Sequence, residues 1–403
     1  MDALRQDASS IDWTPVLVSD SIDEKVRELE GIILKLYDVH APIRRVKVRH
    51  DPAPWLTDYI KTMMAKRDKA KLRFRRCPTD QNLARYKFLR NHCSRLCRDA
   101  KRRHNHNSVE NCNPTQVWKF LRSLGIGKIS TSSDNSVDLN ALNTHFSIPP
   151  VTLDTSIKSS TISFLESQTL PACAQFCFTT ISEEDVKKHV LAITSKAVGN
   201  DNLCSRMISL ILSELLPILT HIFNYSLVTR SFPSAWKRAN VIPLPKIANP
   251  TSFSHFRPIS ILPFLSKVLE HIVHKQLADY ITSNSLLSPF QSGFRKGHST
   301  VTALLKVTED IRLAMENKSL TILTLLDFSS AFNSVDFDVL ISILRSFNIS
   351  PSVIDWFNSY LRGRSQRVRS DETSSDWCDL VAGVPQGGVL SPLLFSIFIN
   401  TVT

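Results

Sequence analysis

Residues 321–336 read TILTLLDFSSAFNSVD, and the reading of this stretch decides the fold. The run at 320–326 is short and apolar, which predicts a strand. It ends at Asp327, and a helix-like segment follows. A buried strand that delivers a carboxylate at its end is a rigid way to position a hard cation ligand. Asp is equally a common cap for a following helix. Both roles stay open on this stretch alone. A second strand-like run lies at 239–244. Helical patterns at 183–194, 206–226, 262–283, 300–317, 336–347 and 351–361 alternate with these runs, so a dense α+β domain is expected over 176–403.

Upstream the character changes. Between Ile43 and Arg103 there are 20 Lys and Arg against 5 Asp and Glu, an excess larger than the +12 of the whole chain. Residues 20–40 have helical apolar spacing and an acidic start. The prolines of APIRRVKVRHDPAPW then interrupt. Thr57 is a plausible cap for a helix towards Arg75, and a third helix is expected from about Gln81 to Arg103. Leu83, Tyr86, Leu89, Cys93 and Leu96 form its buried stripe. The result is a basic helical hairpin, able to track a polyanion or to stand as a solvated helix face. Boundaries are expected at 1–127 for this helical basic region and 128–175 for a Ser/Thr-rich irregular linker.

The first residues, MDALRQDASS, contain no apolar stretch of the signal-peptide kind, and no run is long enough to span a membrane. The eight cysteines lack regular spacing, so free thiols in an intracellular compartment are expected, with no disulfide partner. Cys93, Cys97, His104, His106 and Cys112 match no common structural zinc spacing.

Three further blocks carry chemistry. AGVPQGGVLSPLLFSIFIN, at 382–400, places three of only ten glycines between Gly383 and Gly388. Such clustering implies a tight turn or a close approach to a ligand, with the Gln386 amide able to donate and accept. Ser391 followed by Pro392 is a helix-start signature. In WKRANVIPLPKIANPTSFSHFRPISILP, Lys246 and Arg257 fall on facing strands of a hairpin, where two cations suit a triphosphate. In SPFQSGFRKGHSTVTAL, Arg295, Lys296 and His298 stand before a helix begun near Ser299.

Together, in this order, the blocks resemble the reverse transcriptases of non-LTR (LINE-type) retrotransposons, particularly the jockey-like group. The resemblance runs through WKRANVIPLPK, FRPISIL, SPFQSGFRKGHST, LLDFSSAF and GVPQGGVLSPLLF, from about Cys177 onward. The APW segment and basic helices look like the linker between endonuclease and polymerase in these elements. The resemblance implies a right-hand polymerase, here its fingers and partial palm, that adds dNTPs to a primer on an RNA template with two Mg²⁺ ions. It makes Asp327 the first catalytic aspartate, with the Phe328 carbonyl also touching metal. Phe332 would lie beneath the sugar and exclude a 2′-hydroxyl, with Ser330 and Ala331 lining the 3′-hydroxyl pocket. Lys246 and Arg257 would hold the triphosphate, and Gln386 with Gly387 would contact nucleotide and template. Element RNA and a DNA primer or target are the implied partners. Arg295 and Lys296, with Arg73, Arg75, Arg76, Arg102 and Arg103, are the candidate nucleic-acid contacts.

The departures matter as much. The family's other two catalytic aspartates sit on an aromatic-Ala-Asp-Asp hairpin after the helix that holds Ile397 and Phe398. Residues 1–403 contain no adjacent pair of acids after Asp379. A chain truncated before that hairpin is therefore expected to lack polymerase activity of its own, since one carboxylate can hardly organise two Mg²⁺ ions. Smaller departures are Ser330 for a frequent lysine, Asn333 for a usual aspartate, and Thr401 where an aspartate typically stands. A non-catalytic nucleic-acid-binding relic is the alternative. A group II intron maturase fits less well, because the APW linker looks LINE-like.

Overall fold

The computed structural model describes residues 2–44, 53–110, 112–124, 126, 138–150, 153–370 and 373–400. The chain divides into two compact units, Arg44–Asn135 and the combination of Met1–Ile43 with Ser136–Thr403. The larger unit begins with α1 (Asp2–Ser9), α2 (Thr14–Val18) and α3 (Ile22–His40). Val26, Leu29 and Ile33 on α3 are buried in the main hydrophobic core. The Tyr37 hydroxyl donates to the Met207 carbonyl at 2.7 Å, tying α3 to residues far along the chain. The expected boundary at 127 therefore does not follow the division of the structure.

The smaller unit contains α4 (Asp58–Arg76), α5 (Asp80–Asn107) and α6 (Pro114–Ser123). The Thr57 side chain accepts from the Ile60 N–H, and Thr79 does the same for Asn82. Each satisfies one amide at a helix start that would otherwise lack a partner. Cys93 is buried within the expected stripe, while Arg73, Arg75, Arg76, Arg102 and Arg103 are all exposed. The hairpin read from periodicity is present.

Two helices, α7 (Leu139–Ser147) and α8 (Thr155–Glu166), occupy the stretch expected to be an irregular linker. Leu142 and Phe146 on α7 bury against Val241 and Val368. Lys158 on α8 bridges Asp336 at 2.9 Å and Asp338 at 2.6 Å. Ser, Thr and Asn are abundant there, but tertiary packing on a few apolar residues overrides their turn preference.

The remaining helices are α9 (Glu183–Ala192), α10 (Ser205–Leu210), α11 (Leu212–Val228), α12 (Phe264–Ser283), α13 (Thr300–Glu316), α14 (Phe337–Ser346), α15 (Pro351–Leu361) and α16 (Ser391–Ile399). The single helix expected over 206–226 is interrupted at Ile211, whose ψ of 28° is not helical. The core gathers α11, α12, α14, α15 and α16 around an aromatic cluster in which Trp356 stacks on Tyr360 at 5.6 Å and Phe232 meets both edge-on. A small mixed sheet completes the unit: β1 (Arg238–Pro245), β2 (Phe256–Ile261), β3 (Arg364–Ser370), β4 (Thr373–Ser374) and β5 (Cys378–Leu380). β1 pairs antiparallel with β2 and parallel with β3, and β3 pairs antiparallel with β4 and β5.

The strand expected over 320–326 is not formed. Residues 319–328 carry no regular structure and are exposed throughout, Leu320 at 90% and Leu325 at 84%. Strands exist through their partners' hydrogen bonds. Here β2 and β3 flank β1, β4 and β5 take the other side of β3, and Ser260 on β2 donates instead to the Gln386 carbonyl. Among the described residues, 320–326 pair with no strand of this sheet. The preceding helix, α13, also buries none of its residues.

Candidate nucleotide-binding site

The glycine loop at 383–388 is fixed on three sides. Against the aromatic turn, the Gly383 N–H donates to the Val335 carbonyl at 2.8 Å, and the Val384 N–H donates to that of Phe332 at 2.9 Å. Gly383 has φ +85°, and a Cβ there would press on the backbone of Phe332 and Asn333. Against β2, the Ser260 N–H donates to the Gln386 carbonyl at 2.8 Å. Gly387 has φ +134°, and any Cβ would overlap the Ser260 carbonyl oxygen. Glycine is required at both positions because no L side chain tolerates that conformation and that proximity together.

The third fixture is Glu270 on α12. It is fully buried, yet its carboxylate is saturated. One oxygen accepts from the Val389 N–H at 2.8 Å, the Leu390 N–H at 3.3 Å and the Tyr360 hydroxyl at 3.2 Å. The other accepts from the Ser266 hydroxyl at 2.9 Å. A buried charge is tolerable only with such a set of donors. Burial, with Glu270 beside it, pushes the Tyr360 phenol well above its ordinary pKa, so it remains a donor. The sequence reading missed Glu270. Its signal was there: an acid between Leu269 and Val273, on a helix whose other buried residues, Ser266 apart, are apolar.

Around this loop the sequence blocks converge. Phe332 stacks on Phe395 of α16 at 4.9 Å and meets Phe294 edge-on at 5.8 Å. The Gln386 side-chain amide donates to Asn333 Oδ1 at 3.2 Å, and Asn333 donates to the Phe146 carbonyl at 3.2 Å. A cleft beside them is lined by Phe146, Pro258, Ser260, Asn333, Gln366 and Gln386. Lys246 and Arg257 stand exposed near the turn end of the β1–β2 hairpin, where Arg257 pairs in register with Leu244. Lys246 Nζ donates to the Ser254 carbonyl at 2.7 Å. Arg295 donates to the Ser288 carbonyl at 3.0 Å, while Lys296 is exposed. Ser330 is exposed in the left-handed region with φ 50°, and Ala331 starts a single 3₁₀ turn, Ala331–Ser334. Ser391 is the first residue of α16, with Leu390 at the cap position.

Asp327 stands apart from this convergence. It is exposed, as is Phe328, and it caps no helix, since the turn that follows is preceded by Ser330. Among the described residues no group of three His, Cys, Asp or Glu side chains could hold a metal ion. The residues described therefore do not fit a two-metal site, although Asp327 with the Phe328 carbonyl offers hard oxygen donors of the right chemistry. Thr401 lies outside the described residues. His104 and Cys93 have other surroundings: His104 packs on Trp55 at 5.8 Å, and Cys93 is buried.

A glycine loop bonded to β2 and to an aromatic turn, in a unit whose β1–β2 hairpin also carries Lys246 and Arg257, offers groups suited to base and phosphate contacts. Residues 245–403 match the protein family described as reverse transcriptase (RNA-dependent DNA polymerase), a span that takes in β2, the aromatic turn and the glycine loop. A probable RNA-directed DNA polymerase from transposon BS of Drosophila melanogaster is 35% identical over 204 residues, covering 50% of this chain and 22% of that protein. The RNA-directed DNA polymerase from mobile element jockey of the same organism is 34% identical over 220 residues, 54% of this chain and 24% of that protein. The Pol polyprotein of the type-2 retrotransposable element R2DM is 24% identical over 220 residues, 55% and 20% of the two chains. Residues 245–403 are thus similar to reverse transcriptases, and these relatives are named as polymerases or Pol polyproteins of mobile elements. The match spans under a quarter of the length of the jockey and BS relatives. Among the described residues no helix is long and apolar enough to cross a membrane.

Proposed function

We propose that this chain supplies the fingers and part of the palm of an RNA-directed DNA polymerase, over about residues 176–403, and that it holds an incoming dNTP against an RNA template and a DNA primer. The observation that carries the reading is the convergence of four separate sequence blocks on the glycine loop and Phe332. In this reading Lys246 and Arg257 hold the triphosphate, and Phe332 lies beneath the sugar and rejects a 2′-hydroxyl. Ser330 and Ala331 line the 3′-hydroxyl pocket, and Gln386 with Gly387 contacts nucleotide and template. Asp327 and the Phe328 carbonyl are ligands for Mg²⁺, whose two-metal chemistry needs further carboxylates near Asp327. Arg295 and Lys296, and the basic hairpin through Arg73, Arg75, Arg76, Arg102 and Arg103, contact nucleic acid. The isolation of Asp327 favours a second reading for the 403-residue polypeptide itself, a nucleic-acid-binding protein without catalysis.

The test is a dissociation measurement with an RNA template and a dideoxy-terminated DNA primer. The next complementary dNTP should slow release of the template–primer several-fold relative to a mismatched dNTP, and Arg257→Ala should remove the difference. Equal release with matched and mismatched nucleotides would contradict the proposal.

A further inference from the structure

The basic hairpin has a surface that its charge count alone does not reveal. Along α4, Lys66, Lys69 and Arg73 line one side of a groove of ≈ 510 Å³, and Arg85 and Phe88 of α5 line the other. Positions 66, 69 and 73 recur at helical spacing, so three cations share one face over about 10 Å of helix. Among the described residues none of these four cations has an ion-pair partner; the acids of α4 pair elsewhere, Asp58 with Lys61 and Asp68 with Arg67. Like charges gathered without counter-ions repel one another, and a polyanion laid along them relieves that repulsion.

Phe88 sets the second half of the argument. It is 69% exposed. Its ring is parallel to that of His92, one turn further on, at a centroid distance of 6.1 Å and an interplanar angle of 6°. The result is an exposed aromatic ring at the rim of a cationic groove. Cations that follow a backbone beside a ring that takes a base are the working parts of single-strand recognition. A duplex has its base faces already stacked and offers only phosphates.

We propose that the α4–α5 groove is a single-strand nucleic-acid site: phosphates lie along Lys66, Lys69 and Arg73 with Arg85 opposite, and one base stacks on Phe88. The proposal rests on the reading of the basic hairpin as a nucleic-acid contact and names the form of nucleic acid it takes. It uses no part of the nucleotide site.

Fluorescence anisotropy on the full 403-residue chain tests it, with labelled dT12, rU12 and a 12-base-pair DNA duplex as probes. Phe88→Ala should weaken binding of both single strands about five- to a hundred-fold with an unchanged salt slope, leave the duplex unaffected, and be reversed by Phe88→Tyr. Replacing Lys66, Lys69 and Arg73 together by Gln should lower the magnitude of the single-strand salt slope by about 2. All these side chains are exposed or half-buried, and unchanged helicity would confirm folded variants. Equal loss on single strands and duplex in Phe88→Ala, or no loss on either, would overturn the stacking site. An unchanged salt slope in the triple variant would place the strand elsewhere. Neither result would touch matched-nucleotide retention, which tests the polymerase reading separately.

Discussion

Residues 383–390 and residues 319–328 belong to the same unit, and both come from the most informative sequence blocks, yet they are held in opposite ways. The first is bonded to β2, to the aromatic turn and to a buried carboxylate, and it needs glycine at two positions to fit. The second carries Asp327 on an exposed segment without regular structure, preceded by exposed leucines. The contrast separates two tasks of a nucleotidyl-transfer site. In the proposed reading the glycine loop shapes the nucleotide's surroundings, whereas a metal site requires several carboxylates to converge, and among the described residues none group with Asp327.

The largest expected effect lies on the fixed side. Glu270→Ala leaves the Val389 and Leu390 amides and two hydroxyls without their acceptor, and it should cost about 3–5 kcal/mol. Asp327→Ala, with nothing bonded to it, should stay within about 0.5 kcal/mol of the parent. Urea titration of both variants checks this, and similar losses in the two would erase the comparison. Gly387→Ala comes next. It forces an L residue into φ +134° against the Ser260 carbonyl, and about 2–3 kcal/mol should be lost.

A pH dependence offers a further test, because the same unit buries two acids, Glu30 and Asp201. Burial pushes the Glu30 carboxyl from 4.5 up to about 7, helped by Asp201 and opposed by the Trp236 indole N–H. Burial likewise raises Asp201 from 3.8 to about 6. Both acids bind protons more tightly in the folded chain. Their cost thus sets in as pH rises past the ordinary values of 3.8 and 4.5 and is complete only above the raised values of about 6 and about 7. Stability should therefore fall as pH rises through that window. Glu30→Gln keeps an acceptor for Trp236, and its stability relative to the parent should grow between pH 4.5 and 7, by on the order of 2 kcal/mol. A flat difference profile would contradict the assignment.

Where structure depends on neighbours in sequence, the chain was readable. Thr57, the acidic residue after it, and the spacing of Leu83, Tyr86 and Cys93 specify the helical hairpin locally, and it formed as expected. The convergence of the Gln386 loop with the Phe332 turn could be anticipated only from the family resemblance, because those residues lie about 50 apart and their hydrogen bonds leave no periodic trace. Residues 320–326 were misread for the converse reason. Their apolar pattern states a preference for pairing, but whether a partner edge is free is decided by β1, β2 and β3. The helices α7 and α8 were hidden by composition. Glu270 was the one avoidable miss, since a charge on a buried helix face is visible as a break in pattern.

The central claim is that the glycine loop shapes a nucleotide site as proposed, while among the described residues no group of acids joins Asp327 to complete a metal site. Primer extension by the 403-residue polypeptide on an RNA template, with Mg²⁺ and all four dNTPs, tests it most directly. The account predicts no extension from a preparation that nonetheless retains template–primer more firmly with the matched dNTP. Extension that disappears in Asp327→Ala would contradict it.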